Sequence, residues 1–359
     1  MATNAIRIDL YFKFVFVNFH FNGFIVRQDA IKISVQKTIL TISAILLIGK
    51  FIAFFITNSV GILTDAMESI VNVAAGIISL VSLYISSKPK DEDHPFGHGK
   101  IELISASIEA LLIMMAGGLI IYEGVVRIIN PTNIEYNYIG LIIVAAAGFV
   151  NYLLGYYSIR VGRKHHSMAL IAGGKHLQSD TYSSIGLVLG LILLYTTRIG
   201  WIDSALALVF GSIILFTGIG ILRQTVENLM DKTDQRVLDL LLETIIRNRK
   251  NYWIDIHNLK MIKNGSIYYV NCDLTIPWFY TIRQGHTVCD EIEEIIFNEL
   301  PENIQLSVHS DPCKTHQCSG CIMQDCEQRT TPLTTPLEFT IDLITYSSDK
   351  SQKFKKQKS

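Results

Sequence analysis

Long apolar runs decide what this chain can fold into. Six stretches, 37–57, 60–86, 101–126, 136–159, 169–196 and 200–221, are long enough to cross a bilayer as helices, which takes roughly 20 residues each. Composition agrees: 49% of residues are hydrophobic, only 18% are charged and mean hydropathy is +0.33, where soluble proteins carry about 25% charged residues. The charge deficit is local. Residues 36–222 hold the apolar runs, and residues 223–359 read as a soluble domain with a tail. Net charge is -1, so nothing marks the chain as a polycation, and nucleic acid is not expected as a partner.

Basic residues orient the spans. Lys88, Lys90 and Lys100 follow the second, Arg160, Arg163, Lys164 and Lys175 follow the fourth, and Arg223 follows the sixth. The alternate loops carry only Arg127 and Arg198. By the positive-inside rule both termini are cytoplasmic. Residues 1–35 read as an N-terminal extension, interfacial or mobile, whose apolar run is interrupted by Lys13, Asn18, His20 and Asn22. A seventh span or an overlong start assignment stays open there. Small residues such as Ala116-Gly117-Gly118 and Ala145-Ala146-Ala147-Gly148 suit close helix packing.

An ionisable group at the centre of a membrane helix costs at least about 2.5 kcal/mol, so each demands a reason. The second span reads SVGILTDAMESIVNVAAG, with Asp65, Glu68 and Asn72 on one stripe, and the fifth carries HLQSD, with His176 and Asp180 one turn apart. Carboxylates, a carboxamide and an imidazole together suit a divalent transition metal. Interhelical hydrogen bonds around a neutral acid, or a proton relay without metal, are the other readings. Between the second and third spans, DEDHPFGHGK sets Asp91, His94 and His98 within one short glycine-bent loop. That loop is a second metal candidate, or else a solvated polar turn.

Beyond residue 223 the pattern changes. An amphipathic helix at 234–250, strands at 254–263 and 266–276 turning at Asn264-Gly265, a helix at 284–299 and a strand at 304–309 give the order α-β-β-α-β. The segment 313–330 follows, with Cys313, Cys318, Cys321 and Cys326 closely spaced and His316 among them. Cys318-x-x-Cys321 is a zinc-ligand spacing, and free thiols or an iron–sulfur site are the alternatives. Residues 331–359, ending KSQKFKKQKS, read as a disordered basic tail.

The DAMES…N and HLQSD pair, with DEDHPFGHGK between them, resembles the cation diffusion facilitators over roughly residues 36–312. The resemblance implies an α-helical membrane protein of six transmembrane helices plus a C-terminal α+β ferredoxin-like, metallochaperone-like cytoplasmic domain. It implies a transport site at Glu68, Asn72, His176 and Asp180, with Asp65 as an added contributor. Many members carry Asp or His at the first of these positions and Asp at the second. This chain has Glu and Asn, so the site loses one anionic ligand and the metal stays open. Asp91, His94 and His98 match a family loop site; His257, His286, His309 and Asp311 match metal positions of the cytoplasmic domain; Lys100 and Asp231 match a salt bridge holding the dimer. The implied protein is a homodimer in the bacterial inner membrane that exchanges a divalent cation for protons. Zinc or iron come first, with cobalt, cadmium and manganese also eligible, and no organic cofactor is expected. The alternative is a membrane-bound sensor that binds metal without moving it. Intramembrane hydrolysis is disfavoured, because no H-E-x-x-H is present.

Overall fold

A computed structural model describes residues 29–55, 60–129, 138–197, 201–300 and 303–345. The chain divides into two compact units after Leu229. The first unit is helical: α1 (Asp29–Phe55), α2 (Val60–Ser86), α3 (Ile101–Ile129), α4 (Tyr138–Lys164), α5 (Met168–Thr197) and α6 (Trp201–Leu229). Among the described residues, five helices are long and apolar enough to cross a membrane: α1, α3, α6 and the apolar parts of α2 and α4. The odd one is α5, which carries Lys175, His176 and Asp180.

Residues 29–35, expected in the N-terminal extension, are instead the first turns of α1. Long-range pairing carries the helix through its polar start. Lys32, only 2% exposed, sits 3.0 Å from Asp29 and 3.4 Å from Glu102 at the start of α3. Ser86 at the end of α2 donates to Glu102 at 3.1 Å, and Ser167, just before α5, donates to its other oxygen. A buried charge persists only when paired in this way.

Helix α3 packs most extensively on α6, and α4 on α5. Missing side chains make both contacts close. A Cβ on Gly117 would lie 2.7 Å from the Leu215 amide nitrogen, and one on Gly174 would lie 2.7 Å from the Gly155 carbonyl oxygen. Backbone thus meets backbone along α4 and α5, as small residues permit in membrane helices.

The second unit is a three-stranded sheet with helices. Its order is α7 (Gln235–Arg247), β1 (Asp255–Asn264), β2 (Ile267–Ile276), α8 (Ile282–Glu299) and β3 (Asn303–Pro312), which is the α-β-β-α-β order expected. Asp234 caps α7 by accepting from the Val237 N–H. Thr281 and Gln284 cap α8 reciprocally, Thr281 N–H donating to Gln284 Oε1 at 2.9 Å. The hairpin turns at Gly265 and Ser266, where Gly265 takes the left-handed φ of 62° that favours glycine. Strands β1 and β2 pair antiparallel, and β2 and β3 parallel through the α8 crossover.

The faces of β2 separate cleanly. Tyr268, Val270, Cys272, Leu274 and Ile276 are buried in the core with Val237, Leu241 and Ile245 of α7 and Ile292 and Ile296 of α8. The other face carries Asn271, Asp273 and Thr275. In β1 the register slips between His257 and Lys260 at a bulge, with Asn258 at φ 54°. A one-residue slip exchanges the faces of a strand. The bulge therefore lets Ile256 and Met261, five apart in sequence, both join the core, while His257 stays on the polar face beside Asp273.

The C-terminal segment corrects the expectation of disorder from residue 331. Through residue 345 it is folded: Phe339 and Ile344 are buried in the domain core, and a short helix α9 (Ile341–Thr345) packs on β1. The Arg249 guanidinium stacks 3.8 Å from the Phe339 ring centre and donates to the Leu337 carbonyl. The segment has too few apolar residues to form a core alone, and it borrows one. Residues 1–28 and 346–359 lie outside the described residues.

Candidate metal sites

The membrane site is built from one residue of α2 and two of α5. His176 and Asp180 stand one helical turn apart and so share a face. Asn72 lies between them: its Oδ1 is 2.8 Å from His176 Nε2, and its Nδ2 donates to Asp180 Oδ2 at 2.7 Å. With Oδ1 facing the imidazole, the contact is a hydrogen bond when Nε2 carries the proton. His176 is buried and Asp180 partly so. Three of the four expected transport residues therefore meet in one hydrogen-bonded chain. Glu68 and Asp65 belong to α2, and their side chains lie outside the described positions.

Glu109 and Lys50 are two further buried ionisable groups of this unit that belong to none of the motifs. Glu109 of α3 is 1% exposed, and its Oε2 has no hydrogen-bond partner among the described residues. It lines a small cavity, about 20 Å³, together with Gln36, Ser43, Asn72, Gly173 and His176. Gly173 lets the carboxyl approach, since a Cβ there would sit 3.2 Å from Oε2. Lys50 of α1, also buried, donates to Ser69 of α2 at 2.8 Å. A search for charges inside apolar spans finds both residues, because hydrocarbon tolerates neither without a partner or a purpose.

The loop after α2 gathers its expected residues. Asp91 Oδ1 lies 3.0 Å from His94 Nδ1, and Oδ2 lies 3.3 Å from His98 Nε2. One ligand atom from each falls within 4.8 Å of the others. The His94 N–H also donates to Asp91 at 2.7 Å. Partial desolvation raises the Asp91 carboxyl, but hydrogen bonds from the His94 ring and backbone outweigh it and hold the group below its ordinary range. Asp91 is thus a carboxylate, as a cation ligand must be.

On the sheet, the expected set is partly rearranged. Ligand atoms of His257, Asp273 and Asp311 fall within 4.8 Å of one another. His257 Nε2 is 3.5 Å from Asp311 and 3.9 Å from Asp273, and its Nδ1 is 3.3 Å from Asp255. His309 joins the edge, 3.4 Å from Asp311. Register explains the gathering: His257, Asp273 and His309 are aligned across the three strands, and Thr275 opposite Asp311 begins the next row. His286 stands apart on α8, exposed and 3.7 Å from Asp290. Sequence reading missed Asp273, whose place depends on the hairpin register and the bulge. Asn258, at the bulge, donates to it at 2.9 Å.

The Asp255 carboxylate raises the His257 pKa above its ordinary 6.5 against the desolvation that lowers it, with Asp273 and Asp311 adding to the rise. The folded, metal-free domain therefore holds this proton more tightly than the unfolded chain. That stabilisation is fully present below about pH 6.5 and is lost as pH rises through the folded value. Melting of the metal-stripped protein, followed stepwise upward from pH 6, should show a falling midpoint for the sheet domain that His257→Gln flattens. An unchanged slope in the variant would mean that another group titrates.

A hydrogen-bonded His–Asn–Asp chain between apolar helices, with two acid–histidine clusters elsewhere, defines an integral membrane protein that handles cations. The chain belongs to the cation efflux family of metal-cation transporters. The family's transmembrane-domain profile matches residues 37–230 and its cytoplasmic-domain profile matches residues 242–313. The chain is 32% identical over 263 residues to the uncharacterized transporter sll1263 of Synechocystis sp., covering 73% of this chain and 84% of the relative. It is 27% identical over 281 residues to the cation-efflux pump FieF of Escherichia fergusonii, covering 76% and 89%. For the FieF of Serratia proteamaculans the identity is 26% over 285 residues, covering 76% and 90%.

Proposed function

We propose that this chain is a proton-coupled antiporter that exports a divalent transition metal, zinc or iron foremost, from the cytoplasm. The observation that carries this reading is the His176–Asn72–Asp180 chain between α2 and α5. A sensor that never moved its ion would need only the clusters outside the spans. In this reading α5 also crosses the membrane and brings the spans to six, both termini are cytoplasmic, and the membrane is the bacterial inner membrane. The protein works as a homodimer through a ferredoxin-like domain.

Metal binds once His176 has lost its proton and Asp180 is ionised, since ligands shed protons to bind. Glu68, with Asp65 close by on α2, completes the set from the turn before Asn72. Glu109 gives the adjoining cavity a further carboxyl. Reprotonation on the far side displaces the ion, and an imidazole suits that exchange because its pKa lies near physiological pH. The loop cluster, the sheet cluster and His286 take up metal from the cytoplasm.

The test is transport by purified protein in proteoliposomes under an imposed pH gradient, with zinc, iron, cobalt, cadmium and manganese offered in turn. Accumulation should require an acid-inside gradient and should alkalinise the lumen in step with metal entry. Metal flux with no proton movement would overturn antiport. Asn72→Asp restores an anionic oxygen, so the ratio of zinc to iron rates should change by about tenfold, or roughly 1.4 kcal/mol. An unchanged ratio would make Asn72 a packing residue.

A further inference from the structure

The C-terminal segment forms a second folded feature that, from residue 314 onward, lies beyond both family matches. Cys313, Cys318, Cys321 and Cys326 line one cavity of about 60 Å³ together with Ile254, Trp278 and Arg329. All four thiols are free. Cys313 directly follows β3, and its N–H donates to the Ile276 carbonyl at 2.9 Å, so its backbone is fixed to the sheet. Cys318 sits in a 3-10 turn (Thr315–Ser319), and Cys321 is buried.

Arg329 braces the loop that carries them. Its guanidinium donates to the carbonyls of Cys318 at 2.6 Å, Cys321 at 2.9 Å and Met323 at 2.8 Å. These bonds engage only backbone oxygens and leave the sulfurs available. The Thr330 hydroxyl lies 3.6 Å from Cys318 Sγ. Hydrogen bonds from the Thr330 backbone and hydroxyl, helped by the Arg329 charge, hold the Cys318 thiol below its ordinary range. Burial pushes the Cys313 thiol up, and the other three cysteines push it further. Four cysteine sulfurs lining one cavity, held by a braced loop and with a hydroxyl near one of them, are an arrangement that a cation completes.

We propose that these four cysteines bind one zinc-type, thiophilic divalent cation that fastens the C-terminal segment to the end of β3. The ligand type fits: thiolates select zinc and similar soft ions, and Cys-x-x-Cys plus two further cysteines makes a closed tetrahedral set. No three sulfurs yet lie within 4.8 Å of one another, whereas a tetrahedral site brings them to about 3.8 Å. The irregular stretch 320–328 is the part that must tighten. The site is independent of transport, and its role is to hold in place the segment whose Phe339 and Ile344 complete the domain core.

The test is cobalt titration of metal-stripped, full-length protein in detergent under reducing conditions. Wild type should develop a thiolate-to-cobalt charge-transfer band, which sites built from imidazole and carboxylate do not give. The band should be absent in the Cys318→Ser/Cys321→Ser double variant and retained in Cys289→Ser. Arg329→Gln, which removes only the brace, should weaken cobalt binding by about 10–100-fold. Alkylation of wild type adds a readout that needs no variant: zinc should protect all four tail cysteines, and a chelator should expose them. A wild type without the band, a double variant that keeps it, or alkylation indifferent to zinc would each overturn the proposal. So would acid-labile sulfide in the purified protein, which would identify an iron–sulfur cluster instead.

Discussion

Replacing His176 with alanine should reduce metal transport to the background of empty liposomes, a loss of at least ~100-fold, or about 2.7 kcal/mol. Asp180→Ala should do the same. Each removes one end of the chain that runs through Asn72, and neither can be replaced by water in an apolar bundle at low cost. Asp180→Asn is the sharper variant. It keeps an oxygen to accept the Asn72 amide hydrogen bond and removes the charge, so the helix pair should stay assembled while transport fails. Melting temperature and elution volume in detergent should match wild type, and cobalt binding to the sheet cluster should persist. If Asp180→Asn carries metal at the wild-type rate, the ion does not use that carboxylate and the site is wrongly placed.

The second large effect concerns a residue with no chemistry of its own. Gly174→Val should abolish transport and lower the melting temperature, because a Cβ at this position would already meet Gly155 O and Ile159 Cγ1 at 2.7 Å and Ile159 N at 3.0 Å. Two of these three obstacles are backbone atoms, which cannot rotate away. Overpacking typically costs about 1–3 kcal/mol, and the relief available here is to push α5 off α4, moving His176 two residues further along. Gly118→Ala and Gly220→Ala supply the contrast, since nothing lies within 4 Å of a Cβ at either position. Both should remain within about 0.5 kcal/mol of wild type and transport normally. A fully active Gly174→Val would show that the α4–α5 distance does not set the site.

Local signals carried the reading of sequence a long way. The apolar runs locate the membrane helices, the Asn264-Gly265 pair locates the hairpin, and the one-turn spacing of His176 and Asp180 places them on one face. What stayed hidden depends on partners far away in sequence. The start of α1 looks too polar for a membrane helix until Lys32 is seen against Glu102, 70 residues on. Asp273 looks like one more strand residue until the bulge after His257 fixes which face the histidine occupies. The segment after residue 331 looks disordered because its few apolar side chains, Phe339 and Ile344 among them, complete a core made elsewhere. Each case is a pairing that local composition does not encode.

In the proposed exchange, half of every cycle is made with protons in place of metal, and the metal-free site must change its facing too. A pocket of bare ligands would have to carry unanswered donors and acceptors through that step. Here Asn72 offers its oxygen to His176 and its N–H to Asp180, so the vacant pocket closes on itself. A carrier built this way can bring its proton-bearing, metal-free pocket back at little cost, and the grip it forgoes by lacking an acid at this position becomes speed on the way back.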